Sequence, residues 1–146
     1  MKQINLTILL TILMSIIGVK AYAHDIEVNN ADGVTIYYKW TNNKTELAVS
    51  YRGSRFNSYS NEYTGNVVIY ESVIYEGKAY NVTSIDKHAF SCCSDLMSVN
   101  IPNSVTSIGE HAFDACYGLI SVNIPNSVTS IGNCAFYGCS SLTSIT

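Results

Sequence analysis

The chain has 146 residues, with eight lysine or arginine against eleven aspartate or glutamate and a formal net charge of −3 at pH 7. A chain of this length forms one small domain. Its acidic balance and its low charged fraction of 13% argue against nucleic acid and against an anionic membrane surface as partners.

Residues 1–23 have the features of a secretory signal peptide. Lys2 gives a positive start, residues 4–19 are mostly apolar, and a small-x-small cleavage site ends at Ala23. The alternative is a membrane anchor, but a run of about 16 residues is shorter than the roughly 20 needed to span a bilayer. The sequence therefore predicts a secreted or cell-surface protein whose mature part is residues 24–146.

A β-hairpin is predicted at the start of the mature chain. Residues 34–40 and 45–51 alternate in polarity and are rich in β-branched and aromatic side chains, and residues 41–44 between them favour a turn. Residues 52–66 contain Gly, Ser, Asn and Tyr with few aliphatic side chains, which is typical of a loop. Four loop residues that packing explains less well are predicted to contact a partner: Arg52, Arg55, Tyr59 and Tyr63.

A degenerate repeat strand follows the loop. Residues 67–73 match residues 99–105, with tyrosine in place of proline, and residues 74–82 form an insertion with a tight turn at Gly77. We interpret residues 24–81 as a β-rich N-terminal cap, because the first rung of a solenoid would otherwise expose its core.

The rest of the chain repeats with a period of 23 residues. The twelve residues SVNIPNSVTSIG occur at 98–109 and again at 121–132. The copies are residues 82–104, 105–127 and an incomplete 128–146. A fixed period between 20 and 50 residues predicts a solenoid.

Each copy contains the frame of a leucine-rich repeat, seen first at Leu96-x-x-Val99-x-Ile101. Val99 and Ile101 are two residues apart, so they share one face of a short strand. Pro102 ends that strand, because proline donates no hydrogen bond to a sheet.

A second apolar segment follows the proline, at the start of the next copy. Val105 and Ile108 begin it, Gly109 makes a turn where a side chain would hinder, and Ala112-Phe113 is predicted to lie in a short helix or turn. The expected fold is an α/β leucine-rich-repeat solenoid, rich in β structure, with a short strand and a short helix or turn in each repeat and an N-terminal β-hairpin cap.

This frame resembles the BspA-like leucine-rich repeats of surface proteins in anaerobic bacteria. The resemblance covers residues 82–146 closely and residues 66–81 loosely. It implies non-enzymatic roles in adhesion to host matrix proteins, to cells or to other bacteria. The exposed strand residues are predicted to form a flat polar surface of the kind with which solenoids bind partners: Ser98, Asn100, Ser121 and Asn123.

The cysteines follow the repeat. Three recur at its period and are interpreted as a ladder of buried thiols, although a disulfide between neighbouring rungs stays open: Cys93, Cys116 and Cys139. Cys92 is expected to be exposed, and neither it nor Cys134 has an obvious partner.

A second column of metal-binding side-chain types consists of His88, His111 and Cys134. It raises the alternatives of a zinc site or a Cys–His nucleophile. No ligand pair at helical spacing and no motif around a cysteine supports either one. The sequence therefore predicts neither metal, cofactor nor enzyme activity, and the column is interpreted as a variable surface position.

The last copy stops at Thr146, which leaves three interpretations open: a shortened chain, end-to-end self-association, or a terminal rung that frays. We favour the shortened chain. The function predicted is an exported leucine-rich-repeat module for protein binding or adhesion. The alternative is a repeat unit with a purely structural role and no ligand of its own.

Overall fold

The computed structural model describes residues 24–30, 32–53 and 61–146, so the predicted signal peptide lies outside it. The described residues form eleven β-strands and one short 3-10 segment, Asn42–Lys44. In chain order the strands are β1 (Ile26–Asn29), β2 (Thr35–Thr41), β3 (Glu46–Ser50), β4 (Gly65–Val68), β5 (Ser72–Tyr75), β6 (Lys78–Ile85), β7 (Leu96–Asn100), β8 (Ser107–Ile108), β9 (Ser121–Asn123), β10 (Ser130–Ile131) and β11 (Ser144–Ile145).

The strands form two sheets. Sheet A has the order β1-β2-β3-β6-β8-β10, with β5 also paired to β6, and sheet B has the order β4-β7-β9-β11. Each repeat adds one strand to each sheet. Ser98 lies opposite Ser121 in sheet B and Ser107 lies opposite Ser130 in sheet A, both in parallel register. The predicted period of 23 residues is therefore confirmed, and the second apolar segment of each copy contains a strand of sheet A.

Of the two forms predicted for this segment of each repeat, a short helix or a turn, the structure has the turn. Phe113 and its equivalents lie in turns, and the described residues contain no α-helix. His111 and Ala115 have φ angles of 53° and 57°, in the left-handed region that ends a right-handed helix. The N–H groups of His111 and Phe113 donate to the carbonyls of Asn133 and Ala135 at 3.0 and 2.7 Å. These N–H groups therefore donate to the next rung. In an α-helix, backbone N–H groups would donate to carbonyls of the same segment.

The core is a set of apolar columns that run through the rungs. The rings of Phe90, Phe113 and Phe136 stack almost in parallel, with centroids 4.9 and 5.1 Å apart. Val105, Leu119 and their equivalents one rung earlier or later extend the same core. Each fully buried side chain of this size stabilises the fold by about 1.5–3 kcal/mol.

Gly109 is required by the approach of two rungs. A Cβ atom there would lie 2.6 Å from the backbone nitrogen of Lys87 and 2.7 Å from the carbonyl carbon of Asp86. Gly132 meets the backbone of Glu110 in the same way. The hindrance predicted for a side chain at this position therefore comes from the preceding rung, because neither glycine has a left-handed φ.

The predicted N-terminal hairpin is present at one end of sheet A. Strands β2 and β3 pair antiparallel, with Tyr38 opposite Val49, and the 3-10 segment joins them. Strand β3 then runs parallel to β6, with Val49 opposite Ile85. Asn30, which follows β1, donates from Nδ2 to the carbonyl of Val68 at 3.4 Å. The N-terminal strands therefore also contact β4, an outer strand of sheet B.

The degenerate repeat strand aligns with the repeats as predicted, but its bounds differ, because β4 ends at Val68 and the hairpin of the insertion already begins at Ser72. Val67 of β4 lies opposite Val99 of β7, which is the alignment that the sequence gives. The insertion forms an antiparallel hairpin from β5 and the first half of β6. Its turn is Glu76-Gly77, and both residues have positive φ angles, 50° and 78°. That combination is typical of the tight turns that join two strands of a hairpin.

Candidate functional site

The exposed face of sheet B brings together the four predicted strand residues. Ser98 pairs with Ser121 and Asn100 pairs with Asn123, so they form two columns, one of hydroxyls and one of amides. The serines are half-buried and the asparagines exposed. The Nδ2 of Asn123 donates to the Oδ1 of Asn100 at 3.5 Å, which lines up the amides across two rungs. The hydroxyl and amide groups in these columns are uncharged and can form hydrogen bonds with a partner.

Asn66 extends the hydroxyl column by one rung. It lies opposite Ser98, and the Oγ of Ser98 donates to its Oδ1 at 2.7 Å. Asn66 is not among the residues predicted from the sequence to bind a partner. The match of residues 67–73 to residues 99–105 is the signal that could have found it. Extended by one residue, this alignment places Asn66 at the position of Ser98.

An apolar column borders the hydroxyl column. Met97 and Ile120 directly precede Ser98 and Ser121, and their exposed fractions are 47% and 45%. The N–H of Ile120 donates to the carbonyl of Met97 at 2.9 Å, so the two residues stand on adjoining rungs. Neither residue was predicted from the sequence to bind a partner. The signal that could have found them is a large apolar side chain at a repeat position that is not part of the core frame.

A shallow groove crosses the rungs where the strands of sheet B end. Its volume is ≈ 330 Å³. It is lined by the exposed amides of sheet B together with residues that follow the strands, namely Val68, Ile69, Tyr70, Glu71, Asn100, Ile101, Pro102, Asn103 and Asn123. None of these described residues is basic. Tyr70 occupies the position that Pro102 has in the next copy, so the tyrosine noted in the sequence faces this groove.

The four loop residues predicted to contact a partner have different outcomes. Arg55 and Tyr59 lie outside the described residues. Arg52 is exposed, and its backbone N–H donates to the carboxylate of Glu62. Arg52 also lines a polar pocket of ≈ 320 Å³ on the N-terminal hairpin, together with Glu27, Asn29, Thr35 and Tyr37. This pocket and the groove of sheet B have no lining residue in common.

The prediction for Tyr63 is wrong, because its side chain is fully buried. Its hydroxyl donates to the carbonyl of Ser50 at 2.8 Å and accepts from the backbone N–H of Tyr37 at 3.1 Å. Its ring packs against that of Phe90 at 4.6 Å between centroids. Burial holds the pKa of Tyr63 well above its usual value. Tyr63 is therefore a core residue that joins the hairpin to the repeats.

The column of His88, His111 and Cys134 shares one backbone geometry, since all three residues have φ angles between 53° and 60°. The rings of His88 and His111 stack with centroids 5.1 Å apart. Burial, and then the neighbouring His111, lower the pKa of His88. Nδ1 of His111 lies 3.1 Å from the carboxylate of Asp114. Among the described residues, no three His, Cys, Asp or Glu side chains come together in a way that could hold a metal ion.

The three cysteines of the repeat point into the core as thiols. The Sγ of Cys116 donates to the carbonyl of Phe90 at 3.0 Å, and that of Cys139 to the carbonyl of Phe113 at 3.1 Å. Burial raises the pKa of Cys93 to about 12. All five cysteines are free thiols. Cys92 was expected to be exposed and is half-buried, because its turn packs against the next rung.

A family model described as the BspA type leucine-rich repeat region matches residues 66–146, with six copies. No curated protein matches the chain. The part of the chain that the structure describes has no helix long and apolar enough to cross a membrane.

Three solved structures are similar to this chain. A leucine-rich repeat protein from Bacteroides ovatus is 37% identical, with a TM-score of 0.65 over 75% of this chain and 27% of that one. A leucine-rich repeat protein of T. pallidum is 27% identical, with a TM-score of 0.61 over 76% of this chain and 46% of that one. A leucine-rich cell surface protein from Faecalibacterium prausnitzii is 24% identical, with a TM-score of 0.61 over 84% of this chain and 32% of that one, and shares the fold. The chain spans less than half of each.

Proposed function

The chain belongs to the BspA-type leucine-rich repeat family, and from this membership we propose that it is an exported module that binds a protein partner at the cell surface. The binding is an equilibrium contact without covalent chemistry. The partner is a host matrix protein or a protein of a bacterial surface, as adhesion by such repeats implies.

The observation that carries this proposal is the exposed face of sheet B. It presents hydroxyl and amide columns, an apolar border of Met97 and Ile120, and the groove at Tyr70. A mixture of an aromatic ring, apolar side chains and neutral hydrogen-bonding groups is typical of protein-binding surfaces. The backbone that holds these side chains is a hydrogen-bonded sheet, so little conformational entropy is lost on binding.

A role without catalysis is supported by the side chains of the described residues. The hydrogen-bonding partner of His111 is Asp114. Cys93 and Cys116 are buried in the core, and the half-buried Cys139 donates to the carbonyl of Phe113. A catalytic cysteine needs a base within hydrogen-bond reach and a thiolate at neutral pH. The raised pKa of Cys93 opposes that requirement.

We assign residues 24–81 to an N-terminal cap and residues 82–146 to the repeats. The support is that the hairpin continues sheet A, that Asn30 contacts the edge strand of sheet B, and that Tyr63 joins the hairpin to the repeats through the core. The core residues at that end, such as Ile36 and Tyr38, are at most 1% exposed. Export is supported by the signal-peptide features of residues 1–23, and the F. prausnitzii protein of the same fold is described as a cell surface protein.

Binding of the full chain to a panel of immobilised extracellular-matrix proteins, measured by surface plasmon resonance, tests the proposal. The double variant Asn100→Arg/Asn123→Arg places two large charges on the face and is expected to weaken binding at least about tenfold, or roughly 1.4 kcal/mol. Asn81→Arg makes the same change at an exposed position of sheet A and is the matched control.

Two results would contradict the proposal. Equal binding by the double variant and the Asn81 control would place the contact elsewhere on the molecule. A chain that binds neither the matrix panel nor a panel of bacterial surface proteins would favour the structural alternative, a repeat unit without a ligand.

A further inference from the structure

The groove at the ends of the sheet B strands contains an acidic side chain next to an aromatic one. Tyr70 and Glu71 are consecutive residues, and both line the groove. Tyr70 is 38% exposed, and Glu71 is exposed as well. In the part of the chain that the structure describes, no hydrogen-bond donor or cation contacts the Glu71 carboxylate. A ligand in the groove therefore meets an ionised carboxylate that it can pair.

The backbone on both sides of Tyr70 is held by hydrogen bonds. The N–H of Ile69 donates to the carbonyl of Asn100 in sheet B at 3.1 Å. The N–H of Val82 in sheet A donates to the carbonyl of Glu71 at 2.8 Å. This segment is thus fixed to both sheets. A ligand that binds here does not have to order the backbone first, which lowers the entropic cost of binding.

Three amide side chains complete the polar part of the lining. Asn100, Asn103 and Asn123 are all exposed. Since the Nδ2 of Asn123 donates to the Oδ1 of Asn100, the Oδ1 of Asn123 can accept from a ligand. Ammonium and guanidinium groups have several N–H donors and no acceptor. The lining therefore offers acceptors to such a group beyond the Glu71 carboxylate.

The charges of the described residues are distributed unevenly between the two sheets. The strands of sheet B contain no charged residue, and those that flank them, Asp95 before β7 and Glu71 after β4, are acidic. Residues 88–146 contain no Lys or Arg. The described Lys and Arg residues all lie in or near the strands of sheet A, namely Lys39, Lys44, Arg52, Lys78 and Lys87. The potential at sheet B is therefore negative and attracts a basic partner.

The Glu71 carboxylate discriminates between classes of ligand. An apolar ligand would cover the charge without pairing it, which costs free energy. An anionic ligand would be repelled. A sugar hydroxyl could donate to the carboxylate, but it would leave the charge uncompensated. A cation compensates the charge and is also attracted by the face of a tyrosine ring within about 6 Å.

We infer that the groove binds a lysine or arginine side chain of the partner protein, with its cation between the Glu71 carboxylate and the Tyr70 ring. The amide oxygens of Asn100 and Asn123 accept its remaining N–H groups. The groove volume of ≈ 330 Å³ lies at the lower limit of ligand pockets, about 300–1,000 Å³, which suits a single side chain. This inference rests on the proposed function, because it gives the chemistry of the partner that the sheet B face binds.

The test is the binding of two short peptides to the full chain, followed by the NMR amide signals of isotope-labelled protein. One peptide has a central arginine between small neutral residues and blocked ends. The other has citrulline in its place, which keeps the shape of arginine without the charge. The arginine peptide is expected to shift the signals of Tyr70 and Glu71 and to bind at least about fivefold more tightly, because hydrogen bonds to charged groups are stronger.

Two variants should move the affinity for the arginine peptide in opposite directions. Glu71→Gln removes the carboxylate and is expected to weaken binding about three- to fivefold, as the loss of an exposed ion pair implies. Asn100→Asp adds a carboxylate and keeps an oxygen that accepts from Asn123, so it is expected to strengthen binding. Glu76→Gln, at an exposed turn residue that does not line the groove, is the matched control and should bind as the parent does. Circular dichroism confirms that each variant is folded.

Several results would overturn the inference. These are no shift with the arginine peptide, equal affinity for the two peptides, equal binding by Glu71→Gln and the parent, or shifts of the same groove signals by maltotriose at lower concentrations than by the arginine peptide. If a protein of the panels binds the sheet B face and Glu71→Gln leaves that binding unchanged, the inference fails and the proposed function stands. If the arginine peptide binds the groove and no panel protein binds the chain, the proposed function fails and the cation preference of the groove stands.

Discussion

At the scale of single residues, buried hydroxyl and carboxyl groups decide how the hairpin is joined to the repeats. The buried hydroxyl of Tyr63 accepts a hydrogen bond from the backbone N–H of Tyr37 and donates one to the carbonyl of Ser50. Glu62 beside it is half-buried and accepts from the N–H of Arg52. Both residues lie in the segment 52–66, which the sequence assigned to a loop for partner contact, so that segment has a structural part as well.

We expect Tyr63→Phe to lower the free energy of unfolding by about 1–3 kcal/mol, because the buried N–H of Tyr37 and the carbonyl of Ser50 then lose a partner. Urea unfolding followed by circular dichroism measures the change. Tyr137→Phe, at a side chain that is 70% exposed, is the control and should stay within about 0.5 kcal/mol of the parent. Equal values for the two variants would refute the role assigned to the Tyr63 hydroxyl.

Glu62 makes the stability depend on pH. Burial raises the pKa of Glu62 to about 7 in the folded protein, above the roughly 4.3 of an unfolded chain. The folded state therefore holds this proton more tightly. The stability that it contributes is complete below the unfolded pKa and is lost as pH rises through the folded pKa.

The melting temperature of the parent protein should therefore fall between pH 5 and pH 8. In the variant Glu62→Gln, the part of this fall that Glu62 causes should be absent. The exposed Glu71→Gln is the control and should keep the decrease. A thermal melt at each pH, followed by circular dichroism, makes the comparison. If Glu62→Gln and the parent lose the same amount between the two pH values, the dependence has another source.

At the scale of elements, the turn of each rung contributes to stacking in a way that a helix could not. Its alternate N–H groups bond the next rung, and two positions four residues apart adopt the left-handed conformation. Those positions are held by His88, His111 and Cys134 in one column and by Cys92, Ala115 and Gly138 in the other. Only one of the six residues is glycine, so the tertiary contacts hold the others in a backbone conformation that costs free energy.

Ala115→Gly should therefore raise the free energy of unfolding by up to about 1 kcal/mol, since glycine adopts a φ of 57° without the cost of a Cβ. Ala112→Gly, three residues earlier, is the control. Ala112 is fully buried and is not among the residues with positive φ, so its replacement should lower the stability. Chemical unfolding of both variants gives the two signs, and a loss of stability in both would contradict the account.

At the scale of the whole molecule, stability increases toward the middle of the stack. Phe113 lies between two stacked rings, whereas Phe136 has a ring on one side in the single chain. Each rung is stabilised mainly by its neighbours, as in other repeat proteins. In the chain described here, the last rung should therefore open first.

Phe113→Ala is expected to cost about 3–5 kcal/mol and to abolish folding or nearly so, because it leaves a cavity inside the stack. Phe136→Ala should cost clearly less, because Phe136 is half-buried and stacks on one ring, that of Phe113. Thermal and urea unfolding at low concentration compare the two variants. A larger loss for Phe136→Ala would contradict a core that is strongest in the middle of the stack.

The sequence by itself determined the repeat, its period, the two apolar segments of each copy and the columns that they form. It also determined the N-terminal hairpin and the alignment of Val67 with Val99. These features follow from local alternation, turn residues and the recurrence of the same side chains every 23 residues, all of which act within one rung or between identical rungs.

Only the tertiary structure decided the burial of Tyr63, the choice of a turn over a helix in each repeat, and the groove at Tyr70. It also added Asn66 to the polar columns and showed that a Cβ at Gly109 would meet the preceding rung. Each of these depends on a contact between segments that are distant or unlike in sequence. Burial, the choice of hydrogen-bonding partner and the space left beside a backbone are properties of the neighbours, and no local pattern of residues encodes them.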